Sequence, residues 1–119
     1  MGDYRELDAW QSGQDLAVAI YQLIQTFPTA EKFGITAQMR RAAVSVMSNI
    51  AEGAGRGTDR QLIAFLRVAR GSLHELESQC QLAQRLGFCS ADAASEALRI
   101  SDRTGRQLYR LLRSLSHDP

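Results

Sequence analysis

The sequence predicts an all-α fold, an antiparallel up-down-up-down four-helix bundle, and three observations carry that prediction. Only two prolines occur in 119 residues, Pro28 and Pro119, so long stretches contain nothing that interrupts a helix. Apolar residues recur at steps of three and four, and strand-period alternation survives nowhere. The periodic runs are four in number and joined by short connections, which makes successive helices antiparallel neighbours.

The four helices are expected over residues 9–27, 37–53, 59–86 and 91–116. In the first, Asp8 with Gln11 reads as an N-cap and its reciprocal partner, and Trp10, Ala17, Ile20, Ile24 and Phe27 follow at helical spacing until Pro28 stops the run. Thr36 is placed to cap the second, whose apolar line is Met39, Ala43, Val46 and Ile50; the glycines at 53, 55 and 57 let the chain turn after it. Thr58 and Gln61 form a capping box for the third. Its line of Leu62, Leu66, Ala69, Leu73, Leu76, Cys80 and Ala83 alternates steps of four and three, which is a bundle seam. Gly87 is placed as its C′ residue. Ser90, with Asp92 in the first turn, opens a fourth helix with Leu98, Leu108, Leu112 and Leu115 on its apolar side.

Composition agrees with one globular domain spanning 1–119. Hydrophobic residues make up 45% and charged ones 23%, and a chain of this length buries about two thirds of its unfolded surface in a single core. Neither a repeat nor a linker interrupts it. No run approaches the roughly 20 apolar residues of a membrane span, which sets aside a membrane partner. Cys80 and Cys89 stand outside any CxxC or histidine spacing, and no signal peptide precedes them. The expectation is reduced thiols in a cytoplasmic protein without metal or cofactor.

Net charge is +1, but it is distributed in blocks: −3 over residues 1–39, +4 over 40–70, −3 over 71–98 and +3 over 99–119. Of the 14 Lys and Arg residues, all but Lys32 are arginine, whose planar fork suits phosphate and carboxylate. On the fourth helix Arg99, Arg103, Arg106, Arg110 and Arg113 fall within a stripe of roughly 80°, with only Asp102 as an acidic neighbour. Such a stripe can follow the phosphate backbone of RNA or DNA. Its plainer readings are a solvated face or salt bridges between subunits.

Three further features bear on function. The second helix carries Arg41, Ser45, Ser48, Asn49 and Glu52 in a polar line, and Ser72 and Glu75 of the third helix are available to pair with it. A structural hydrogen-bonded network of Arg41, Ser45, Asn49, Glu52, Ser72 and Glu75 is therefore expected rather than catalysis. No Ser-His-Asp order, paired histidines or HExxH supports an enzyme, and His74 and His117 read as solvated side chains. The glycine turn beside Arg56 and Arg60 could hold an anion on free N–H groups. It lacks the preceding strand and Lys-Ser/Thr pair of a phosphate loop, and reads as a helix-hairpin turn. On the third helix Val68, Leu82 and Leu86, with Gly71 between them, lie away from the seam. They predict a second buried face against another copy of the chain, with Glu75 open to a neighbour's arginine or a partner in its own bundle.

The segments QMRRAAVSVMSNIAEGAGR (38–56), FPTAEKFG (27–34) and ARGSLHELESQ (69–79) resemble the four-helix-bundle family of 23S rRNA intervening-sequence proteins, over nearly the whole chain from Trp10 through RLGF (85–88). The resemblance implies a cytosolic bacterial protein assembled as a homo-oligomeric ring, typically a pentamer, with no established enzymatic activity. A related branch, the accessory variability proteins of diversity-generating retroelements, is known for a basic pentameric barrel that binds nucleic acid and a reverse transcriptase; its members are more basic than this chain. The family motif residues Arg41, Ser45, Asn49, Glu52, Gly53, Gly71, Ser72 and Glu75 are all present. Two readings of function follow: a homo-oligomer that binds RNA or DNA through its arginine face, or a scaffold that docks a protein partner without nucleic acid.

Overall fold

A computed structural model describes residues 3–116, and four long helices account for most of them: α1 (Asp8–Ile24), α2 (Ile35–Gly55), α3 (Asp59–Arg85) and α4 (Ala91–Ser116). Short 3-10 turns at Tyr4–Glu6 and Thr29–Glu31 precede α1 and α2. Each helix packs on its neighbours in the chain, and α4 closes back on α1, with no close backbone approach across either diagonal. That ring of contacts is the up-down-up-down bundle, 44 × 24 × 20 Å in extent. His117 lies outside the described residues.

The seam of α3 is buried throughout: Leu62, Leu66, Ala69, Leu73, Leu76, Cys80 and Ala83 face Leu16 and Ile20 of α1, Met39, Val46 and Ile50 of α2, and Leu108 and Leu112 of α4 in one core. Full burial of each large aliphatic side chain stabilises by about 1.5–3 kcal/mol.

The helix ends follow local chemistry, twice against expectation. Asp8 does not cap α1. A 3-10 turn capped by Asp3, which accepts from the Arg5 N–H at 2.9 Å, delivers extended Leu7 as the N-cap, and Asp8 becomes the first helical residue. There its carboxylate meets the positive end of the helix dipole. Thr36 does not cap α2 either. Gly34 holds that position, Ile35 begins the helix, and Thr36 turns into the core with its hydroxyl unpartnered. Helix α1 ends at Ile24 rather than 27, because Pro28 disfavours helical backbone at Phe27 and Thr26 Oγ1 donates to the Leu23 carbonyl at 3.0 Å.

Thr58 and Ser90 cap as expected. Thr58 Oγ1 accepts from the Gln61 N–H at 3.2 Å, and Ser90 Oγ from the Ala93 N–H at 3.1 Å. Gly87 sits at φ +78°, the Phe88 N–H donates to Ala83 O and the Gly87 N–H to Gln84 O. This Schellman closure sets the Phe88 ring 5.7 Å from that of Phe27, tying the two connections at that end of the bundle together.

Of the three glycines expected to turn the chain, only Gly57 does, at φ +92°. Gly53 and Gly55 remain inside α2. Gly53 serves packing instead: a Cβ there would stand 2.7 Å from Phe65 Cβ and 3.3 Å from Leu62 Cα, so its absence lets α2 and α3 approach closely.

Candidate functional surfaces

The arginines of α4 lie opposite its buried line of Ala97, Thr104, Leu108 and Leu115, but they are less free than their sequence context predicts. Arg99 pairs with Glu96 at 2.7 Å, Arg106 with Asp102 at 2.6 Å, and Arg103 reaches across to Asp15 of α1 at 2.8 Å. The expectation of one acidic neighbour is thus corrected to three. Glu96 lies one helical turn before Arg99, and Asp15 is brought alongside Arg103 only by the α1–α4 pairing. Hydrogen bonding to Arg99 holds the exposed Glu96 carboxyl below its ordinary range. Arg103 is also structural. Its Nε donates to Ser12 Oγ at 3.1 Å, and Ser12 Oγ lies 2.6 Å from Thr104 Oγ1, which donates to the Ile100 carbonyl at 2.8 Å. Each hydroxyl has one proton, so donation runs in a single direction from Arg103 through Ser12 and Thr104 to Ile100.

Arg110 and Arg113 complete the stripe without a carboxylate partner among the described residues. Arg113 donates to the Tyr109 hydroxyl at 3.2 Å. Beside them, between α3 and α4, run two adjoining clefts of about 440 and 570 Å³ that share Arg70 and Tyr109. The first brings Arg67 and Arg70 of α3 against Tyr109 and Arg113 of α4, and no carboxylate lines it. The sequence reading missed Arg67, Arg70 and Tyr109. Their signal was present as Arg67 and Arg70 three apart on one face of α3, but joining them to Arg113 requires the register of α3 against α4.

On the α2–α3 side, Arg41, Ser45, Ser72 and Glu75 line an open cleft of about 390 Å³. Ser45 Oγ and Ser72 Oγ are 2.8 Å apart across the two helices, and Asn49 Nδ2 donates to both the carbonyl and the Oγ of Ser45, at 2.8 and 2.9 Å. The network stops at these three residues. Glu52 pairs instead with Arg56 along the surface of α2 at 2.8 Å. Arg41 and Glu75 are exposed and make no ion pair among the described residues. No histidine lines this cleft, Glu75 makes no hydrogen bond to either serine, and Asn49 has no basic nitrogen to take the Ser45 proton.

The outer side of α3 carries Val68, Leu82 and Leu86 at 52%, 50% and 53% exposure. Gly71 lies among them in mid-helix, with nothing within 4 Å of where its Cβ would be.

Neither thiol is activated. Cys80 is buried in the core, which pushes its pKa up to about 12, and burial also raises that of half-buried Cys89. No group of three or more His, Cys, Asp or Glu suited to a metal ion occurs among the described residues, and no helix there is long and apolar enough to cross a membrane.

Comparison with known proteins supplies the lineage. No curated protein sequence matches the chain. Among solved structures, a protein of unknown function from the S23 ribosomal protein family of Bacteroides thetaiotaomicron superposes with a TM-score of 0.80 at 20% identity, covering 87% of this chain and 97% of that one. At that identity the likeness concerns the fold. The model of the 23S rRNA-intervening sequence protein family matches residues 5–110, and with nearly the whole bundle inside the match, the chain belongs to that family.

Proposed function

We propose that the chain is a non-enzymatic subunit of a homo-oligomer that binds RNA or DNA on an arginine-rich face and works in the cytoplasm. The observation that carries this reading is the double-faced character of α3. One face is spent on the bundle's own core, while a second apolar line through Val68, Leu82 and Leu86 meets solvent. Helix α3 lies at the outside of a completed bundle, so a second apolar face there has no use within one chain. Gly71 supports the same reading. A mid-helix glycine lowers helix stability by about 1 kcal/mol relative to alanine, and nothing in its own chain needs the space it leaves. A second copy packed closely at that point would need it. Arg41 and Glu75, unpaired and bordering the same side, are suited to ion pairs between copies. A ring of five is the size implied by the family resemblance.

Nucleic acid is the partner favoured by an arginine surface that includes a cleft lined by Arg67, Arg70 and Arg113 and by no carboxylate. Light scattering tests the assembly: the native chain should be oligomeric at micromolar concentration and Leu82→Glu should reduce it to monomer. A stable native monomer would refute the interface. Retention of RNA and DNA at low salt tests the second part. A protein complex that survives nuclease treatment with no nucleic acid bound would favour a scaffold for a protein partner instead.

A further inference from the structure

We infer that the clefts between α3 and α4 bind single-stranded nucleic acid, with Tyr109 as the platform on which a base stacks and Arg67, Arg70, Arg110 and Arg113 as its phosphate contacts. This inference rests on the nucleic-acid reading above and narrows it to one groove and one strand state.

Charge is the first ground. Arg67, Arg70 and Arg113 converge on a cleft lined by no carboxylate, although acidic residues neutralise Arg99, Arg103 and Arg106 a few residues away on α4. Like charges held together at a protein surface repel one another, and an anion relieves that repulsion. The guanidinium is well matched to phosphate because its planar fork donates two parallel hydrogen bonds.

The aromatic ring is the second ground. Tyr109 is 56% exposed, yet it is not adrift: Arg113 Nη1 holds its hydroxyl at 3.2 Å, which fixes the ring at the junction of the two clefts. An exposed aromatic flanked by arginines is the combination that single-strand binders use, a π-face for the base and cations for the backbone. In a duplex the base faces are stacked inside the helix, out of the ring's reach. The clefts are open to solvent, so selection of a single strand rests on access of a base face to the Tyr109 ring.

Polarity along the groove is the third. At its far end Glu77 and Asp102 join the lining, and Asp102 is occupied by Arg106. The strand's phosphates are therefore favoured at the end formed by Arg67, Arg70 and Arg113, with Tyr109 receiving the adjacent base.

The test uses the full chain with fluorescent oligouridylate, oligodeoxythymidylate and a duplex of equal length, followed by anisotropy over a range of salt. The native protein should prefer single strands. Four phosphate contacts give a log–log salt slope of about −2.8, so affinity should fall roughly 50-fold between about 50 and 200 mM salt. Tyr109→Ala should weaken single-strand binding by roughly five- to 150-fold with the slope unchanged, while Tyr109→Phe retains it. The double variant Arg67→Gln/Arg70→Gln should halve the slope to about −1.4. All three altered side chains are exposed, and unchanged circular dichroism melts separate lost binding from lost folding. The two oligomers distinguish RNA from DNA as the source of the strand, and preference for either supports the groove. If single strands and duplex bind equally and neither variant changes affinity, the groove is wrong while the nucleic-acid reading stands. If the native protein retains no nucleic acid even at low salt, both fall together.

Discussion

Replacing Gly53 by alanine should destabilise the bundle, although alanine is the better helix former. In a helix interior the exchange contributes about 1 kcal/mol in favour of the folded state. Against this stands the contact the new methyl would make: 2.7 Å from Phe65 Cβ, 3.1 Å from Leu62 Cδ1 and 3.3 Å from Leu62 Cα. The nearest of these atoms is the first carbon of its side chain and another is backbone, so no flexible tip can swing away. Helices α2 and α3 must separate instead, loosening the seam around Leu62 and Leu66. Overpacking of this kind costs about 1–3 kcal/mol, and a clash with such fixed atoms belongs at the upper end. The net expectation is a loss of about 2 kcal/mol, read as a lower urea midpoint at unchanged slope and a melting temperature lower by roughly 5–10 °C. The assay is paired urea and thermal unfolding of native and variant chains at matched concentration. A Gly53→Ala protein as stable as the native one would refute the close approach of α2 and α3 at this point.

Gly71→Ala should do the reverse: in monomeric protein it should raise stability by about 1 kcal/mol, because a Cβ there meets nothing. It should also weaken self-association measured by light scattering, and an unaltered oligomer would show that copies do not meet closely at that position. Ser12→Ala should cost about 1–3 kcal/mol in urea unfolding, since it interrupts the donor chain between Arg103 and Thr104. Combined with Thr104→Val it should cost less than the sum of the single changes, and strict additivity would argue against the chain. Cys80 makes alkaline stability predictable in sign. Its folded pKa is raised to about 12 from an ordinary 9.0, so its contribution is complete below pH 9 and is lost as pH rises toward 12, because the unfolded thiol ionises first. Between about pH 8 and pH 10 this loss is on the order of 1 kcal/mol, and Cys80→Ala should show a shallower decline over the same interval.

Periodicity carried the fold. Every residue of the α3 seam is buried, as are Met39, Ala43, Val46 and Ile50 of α2 and Leu108, Leu112 and Leu115 of α4, because a 3.6-residue repeat projects directly onto one side of a helix. Side chains that cap through their own loop, Thr58 and Ser90, were legible for the same local reason. Thr36 was not, since a threonine near a helix start has the same sequence appearance whether it bonds the first turn or faces the core. That Val68, Leu82 and Leu86 lie off the bundle's own core could be read from their angle to the seam alone. Pairings between helices were hidden. Asp15 and Arg103 are 88 residues apart, and only the closure of α4 onto α1 neutralises that arginine. The same limitation concealed the Arg67, Arg70 and Tyr109 groove, whose members are unremarkable until α3 and α4 are laid side by side.

The one-way donor chain from Arg103 to Ile100 has a consequence for how the bundle closes. Neighbours in sequence are aligned by short connections, but α1 and α4 are the most distant helices along the chain and nothing covalent sets their relative height. Apolar surfaces tolerate sliding, and a slip of one turn, about 5.4 Å, would still bury leucine against leucine. It would also part Ser12 from Thr104 and Arg103 from Asp15. The polar contacts thus act as a vernier on the interface that closes the bundle, marking one height of α4 as correct.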